Sequence, residues 1–198
     1  MILHTQCTSF TTFVLISRHP FERLVSSYKD KIVGALPGSV HDKLRRKITL
    51  KYRSPNDLPK DNRGVPVLPR VRNLPSKYVP TFAEFVHYIV EEGEAGHEPD
   101  MHWAPVFSFC NPCQVSINTI AKVETMDEDT EYILRKIQVS KGRIDMSKKN
   151  LAPDGKSASE VADGYLKSIG SSLYEKITKL YIVDFDIFGY DPKNFADL

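Results

Sequence analysis

The pattern of apolar positions changes period at residue 18. Phe13, Val14, Leu15 and Ile16 follow one another inside an apolar, β-branched run from Phe10 to Ser17. A run without polar alternation predicts a strand covered on both faces, as in a parallel sheet between helices. From Pro20 onward, Phe21, Leu24, Val25, Tyr28 and Ile32 fall at helical spacing. Proline suits a first helical position, because the N–H it lacks would have no partner there. The stretch therefore reads as strand, tight turn, helix.

The same logic places the later elements. Thr81 and Glu84 have the spacing of a capping box, and Phe82, Phe85, Val86 and Ile89 form one face. A helix is expected over 81–92, stopped by Gly93 and Gly96. Gln114 to Val123 reads as a second strand. Thr125 and Glu128 read as a second capping box, opening a helix to about Ile137 with Tyr132, Ile133 and Ile137 inward. Helices are expected over 157–169 and 172–182, each with Ser three residues before Glu. Tyr181, Phe185, Phe188 and Tyr190 then form an aromatic clamp that seals the core. Strands alternating with helices make the fold class α/β, a parallel sheet flanked by helices.

Residues 36–79 break this order. They hold no sustained apolar period and seven prolines counted to Pro80, with a short helix expected near Lys43 to Tyr52. From His41 to Lys77 there are eleven Lys and Arg against three Asp, a local charge of +8 in a chain whose net charge is +2. This basic, loop-rich insertion is either a flap that gathers a polyanion or a solvated excursion. It lacks interleaved aromatics and any nucleic-acid reader motif, which argues against nucleic acid. At 198 residues the chain fits a single domain, 1–198, with a real core. It contains no apolar run of bilayer length and does not open on a signal peptide. Three cysteines, Cys7, Cys110 and Cys113, do not fix a redox compartment.

Candidate chemistry gathers at the first turn. Arg18 ends the first strand, where open α/β sheets place ligands, and its planar fork suits a phosphate. The following helix offers its N-terminus to an anion, and Ser26 can add a hydroxyl two turns in. The bland reading pairs Arg18 with Glu22 and leaves Ser26 to solvent. His19 contacts nucleotide or only shapes the turn. His102 is the candidate catalytic base, since imidazole titrates near neutrality, with Trp103 as a flat face for a sugar; the alternative is a structural histidine. Lys122 and Glu124 read as an ion pair or cap support, and Arg23 as a brace behind the turn.

RHPFERLVSSYKDK resembles the 3′-phosphate-binding motif of the Golgi carbohydrate sulfotransferases, the family of the chondroitin and dermatan 4-O-sulfotransferases. Two later blocks are similar in the same order: DMHWAPVFSFCNPCQVSINTIAKVETMDED and LYIVDFDIFGYD. The resemblance implies a P-loop-like layout, here without its first strand-loop-helix. It implies 3′-phosphoadenosine 5′-phosphosulfate as co-substrate, with Arg18 and Ser26 on the 3′-phosphate. It implies a glycan acceptor, acidic in character, and a Golgi-lumenal enzyme held to the membrane by an anchor outside these residues. Nothing here matches the family's 5′-phosphosulfate loop, so the chain is expected to be amino-truncated, a partial gene model or a degenerate paralogue. The last would be a non-catalytic module that binds nucleotide or polyanionic glycan. The family's lumenal setting implies disulfide bonding among the cysteines, with a zinc site from Cys7, His102, Cys110 and Cys113 ranked behind it and no metal expected. Ile117-Asn118 and Ala121 stand where relatives carry Tyr-Asp and Gly.

Overall fold

The computed structural model describes residues 12–69, 71, 74–112, 114–139 and 157–192. Strand β1 (Val14–Ser17) turns at Arg18 and His19 into helix α1 (Pro20–Ser27), which continues as a π-helical turn over Tyr28–Val33. Helix α2 (Val40–Tyr52) and helix α3 (Phe82–Glu94) follow, then α4 (Val106–Cys110) and strand β2 (Thr119–Lys122). Helices α5 (Met126–Lys136), α6 (Ala158–Leu166), α7 (Ser171–Leu180) and α8 (Ile182–Phe188) complete the chain. The two strands pair in parallel, Val14 opposite Thr119 and Ser17 opposite Lys122. The fold is α/β, with a small parallel sheet among many helices.

The sheet departs from expectation in cover and length. Phe13 is 50% exposed and Ile16 51%, so β1 is not buried on both faces. A continuous apolar run reports affinity for cover, and among the described residues the sheet has only two strands. Strand β2 is also shorter than expected, because Asn111 at φ 42° turns the chain and its carbonyl accepts from the N–H of Gln114 and of Val115. Asn118 extends the ladder by one step. Its Oδ1 accepts from Phe13 N–H at 2.8 Å, while Phe13 C=O accepts from Asn118 N–H.

The core is helical. Phe21, Leu24 and Val25 of α1 pack with Phe85 and Val86 of α3, Leu166 of α6 and Ile177 of α7. Tyr181, Phe185 and Phe188 are buried, as the clamp reading expects. Buried Asp184 beside them accepts from the N–H groups of Val106 and Phe107 at 2.7 and 2.9 Å, satisfying the otherwise unpaired start of α4. Burial raises the Asp184 pKa, opposed by those two N–H groups.

Caps separate the accurate helix expectations from the others. Thr81/Glu84 and Ser157/Glu160 both form reciprocal boxes. Thr125 does not; its hydroxyl donates to Asp129, whose carboxylate also accepts from Lys122 N–H. Nor does Ser172, because Gly170 at φ 72° takes the cap of α7. Helix α5 turns Leu134 inward and leaves Tyr132 and Ile137 exposed, so of the three residues expected inward only Ile133 is half-buried. Helix α3 runs through Gly93, where a Cβ would meet Leu180 of α7 at 3.2 Å, and the chain leaves the helix at Gly96 with φ 73°.

Within 36–79, much of the positive charge is structural. Arg45 and Arg46 both bind buried Asp42, at 2.7 and 3.2 Å, and Arg46 also donates to the carbonyls of Pro69 and Val71. Burial opposes ionisation of Asp42, yet the Gly38 N–H and the two guanidinium groups hold its carboxyl below the usual range. Arg53 grips Glu84 through two bonds of 2.6 and 2.8 Å. Lys43, Lys60 and Lys77 are exposed. Leu58, Leu68 and Leu74 form a second small core beneath the loops.

Candidate functional site

Helix α1 carries two adjacent stripes of polar side chains. Glu22 and Ser26 form the first, one turn apart, and Arg18 joins it from the end of β1. Arg18 Nε donates to Glu22 Oε2 at 3.3 Å. Its terminal nitrogens have no hydrogen-bond partner among the described residues, and the side chain is 27% exposed. Burial raises the Glu22 pKa, while Arg18 pulls it down. Ser26 is half-buried, and its hydroxyl has no partner among the described residues. The Arg18–Glu22 pair of the bland reading is therefore present, with Ser26 one helical turn beyond Glu22.

His19 caps the helix. The residue is 5% exposed, and Nδ1 accepts from Phe21 N–H at 3.3 Å. Nε2 lies 3.4 Å from the Asp191 carbonyl oxygen, and the ring meets Phe185 and Tyr190 edge-on. Burial pushes its pKa below 6.5, against the Asp191 carbonyl and the carboxylates of Glu124 and Asp191. The backbone N–H of His19 donates to Glu124 Oε1 at 2.7 Å, and Glu124 Oε2 accepts from the Tyr190 hydroxyl at 2.9 Å. Glu124 thus ties the β1–α1 turn to the C-terminal segment. Lys122 serves separately, its Nζ donating to Gly189 C=O and lying 4.4 Å over the Tyr190 ring. Of the two readings for this pair the ion pair is not formed, whereas Glu124 supports the cap residue of α1 through the His19 N–H.

Arg23 and Ser27 form the second stripe, and it fastens the segment that carries His102. Arg23 Nη1 donates to the carbonyls of Met101 and His102 at 3.4 and 3.2 Å, and Nη2 to that of Ala104. The Ser27 hydroxyl donates to His102 C=O at 2.6 Å. Arg23 thus braces the His102 turn rather than the back of the phosphate turn. Trp103 is 3% exposed and packs edge-on to Phe85, which withdraws the indole face expected to receive a sugar.

His102 has partners that its sequence neighbourhood does not advertise. Its Nδ1 lies 2.6 Å from Asp100 Oδ1, which also accepts from His102 N–H at 2.9 Å. Asp100 Oδ2 lies 3.2 Å from His41 Nε2 on α2. Burial opposes ionisation of Asp100, but the His102 N–H and the two imidazoles hold its pKa below the usual range. An ionised carboxylate only accepts, so Nδ1 of His102 is the donor in the neutral ring and Nε2 keeps its lone pair. Asp-x-His is a readable local signal, whereas His41 lies 59 residues from Asp100.

A concavity lined by His87, Gly170, Ser171 and Lys176 includes none of Arg18, Ser26 and His102. Cys110 is a free thiol whose pKa is raised by burial. Cys7 and Cys113, the other members of the disulfide and zinc readings, lie outside the described residues. Among the described residues no helix is long and apolar enough to cross a membrane.

Comparison with known proteins gives a consistent answer. The profile of the sulfotransferase family matches residues 1–191. Carbohydrate sulfotransferase 11 of Rattus norvegicus is 28% identical over 191 residues, 96% of this chain and 49% of the relative. Carbohydrate sulfotransferase 9 of Homo sapiens is 28% identical over 195 residues, 95% of this chain and 39% of the relative. Carbohydrate sulfotransferase 12 of Xenopus laevis is 26% identical, over 93% of this chain and 40% of the relative. The chain therefore spans about half the length of such relatives or less. No solved structure matches.

Proposed function

The chain belongs to the sulfotransferase family, and from that membership we propose that it transfers sulfate from 3′-phosphoadenosine 5′-phosphosulfate to a hydroxyl of a carbohydrate. The acceptor is glycosaminoglycan-like and acidic, and the setting is the Golgi lumen at its membrane, as resemblance to the Golgi enzymes implies. The observation that supports the reading is Arg18 at the β1–α1 turn, held by Glu22 through Nε alone, with Ser26 one helical turn beyond Glu22. Glu22 holds Arg18 by Nε, so the two terminal nitrogens point their donors away from that bond. These donors and the Ser26 hydroxyl suit the oxygens of the donor's 3′-phosphate. His19 sets the turn beneath them from a buried position and is not needed as a direct contact.

His102 Nε2 takes the proton from the acceptor hydroxyl as that oxygen attacks sulfur. The S–O bond to the 5′-phosphate breaks, and 3′-phosphoadenosine 5′-phosphate leaves with the bonding pair. Asp100 holds the imidazole in the tautomer that step requires. Helix α1 relates the two halves, because one stripe carries the phosphate ligands and the next fastens the His102 turn.

Titration calorimetry of 3′-phosphoadenosine 5′-phosphate into the protein tests the assignment. Arg18→Ala should weaken binding by about 1.5–3 kcal/mol, the range for a charge-assisted bond, or roughly 10- to 150-fold. An unchanged dissociation constant removes Arg18 from the site.

A further inference from the structure

We propose that His41, Asp100 and His102 form a binding site for a divalent transition-metal ion of the zinc class. One donor atom from each lies within 4.8 Å of the other two. Two imidazoles and one carboxylate match the donor set of a zinc site with three protein ligands and one open position. Two histidines favour zinc, cobalt or nickel over calcium or magnesium, which prefer oxygen.

The geometry is close to what an ion requires. Metal–ligand bonds of about 2.0–2.1 Å in a tetrahedron set neighbouring donors roughly 3.3 Å apart. His41 Nε2 and Asp100 Oδ2 stand at 3.2 Å, and His102 Nδ1 and Asp100 Oδ1 at 2.6 Å. The rings of His41 and His102 meet edge-on with centroids 5.2 Å apart. Opening the His102–Asp100 contact toward the tetrahedral spacing is the adjustment an ion asks of the site.

The supports on either side are already fixed. His41 lies in the first turn of α2, behind the Ser39 cap and the buried Asp42–Arg45 pair. Asp100 and His102 lie in the turn held by Arg23 and Ser27. The three side chains are 20%, 30% and 37% exposed, so an ion can reach them from solvent. Bound through Nδ1 of His102, the ion would leave Nε2 protonated, so zinc and the acceptor's proton compete for one ring. The site shares Asp100 and His102 with the sulfate-transfer reading, so a bound ion and proton transfer through His102 exclude one another.

The test is zinc titration of the full chain by calorimetry, with cobalt as the spectroscopic probe. The expected result is one zinc per chain, weakened at least tenfold in His41→Gln and in Asp100→Asn and retained in Cys110→Ser and Cys113→Ser. In the unmutated chain, bound cobalt should give paramagnetically shifted ring-proton signals from two histidines, a readout independent of whether any variant folds. No stoichiometric binding would overturn the proposal. So would binding lost in the cysteine variants, or a cobalt spectrum dominated by sulfur charge transfer. Calorimetry with 3′-phosphoadenosine 5′-phosphate on the same samples keeps the two readings distinct, since failure of one leaves the other measurable.

Discussion

Arg23→Lys tests the proposal that α1 positions the His102 turn as well as the residues proposed to hold the 3′-phosphate. The arginine reaches three carbonyls, those of Met101, His102 and Ala104, from two terminal nitrogens. A lysine ammonium on an unforked stem can keep about one of these contacts, so roughly two charge-assisted bonds are lost. At about 1.5 kcal/mol each for half-buried groups, the loss is about 3 kcal/mol. Arg23 Nε is buried without a partner among the described residues, and removing that donor returns about 1 kcal/mol. The net expectation is therefore about 2 kcal/mol. With a urea slope of about 2 kcal/mol/M, the unfolding midpoint should fall by about 1 M at constant slope. In steady-state assays kcat should fall more than the donor KM rises, because the Arg18 stripe is left intact. A midpoint shift below about 0.3 M would refute the energetic reasoning. Equal losses in donor binding and turnover would refute the separation of the two stripes.

Two further outcomes follow from the turn. Glu124→Ala should weaken 3′-phosphoadenosine 5′-phosphate about tenfold by releasing the His19 N–H, whereas Glu124→Gln, which keeps an acceptor, should change it far less; equal loss in both would point to charge rather than to the bond. Burial depresses the His19 pKa, so below 6.5 the unfolded chain binds a proton that the folded one resists. Its contribution to stability is complete above that pH and is withdrawn as pH falls toward the folded value. His19→Asn, which keeps a cap acceptor, should flatten the acid limb of a stability-versus-pH series, and an unchanged limb would contradict the assignment.

Legibility followed locality. Arg18, Glu22 and Ser26 lie within nine residues, so a helix period suffices to set Ser26 one turn beyond Glu22, and the adjoining turn brings Arg18 to Glu22. The boxes at Thr81 and Ser157 are local in the same sense. The box at Thr125 failed because Asp129 offered its hydroxyl a better partner, and the one at Ser172 because Gly170 took the cap. The apolar run before Arg18 could not report how many strands flank it. Counting charges over 41–77 could not reveal that Arg45, Arg46 and Arg53 turn inward to Asp42 and Glu84. The meeting of His41 with Asp100 depends on how α2 lies against the turn before α4, and no spacing in the chain encodes that.

The double use of α1 constrains how this lineage can vary. Inserting or deleting one residue between Glu22 and Ser26 would swing everything beyond it by about 100°. Ser26 would leave the Glu22 stripe, and Ser27 would release His102, in a single genetic event. The loops over Leu58 and Leu68 carry no such double duty and can drift in length, so descendants of this gene should differ there while α1 keeps its residue count.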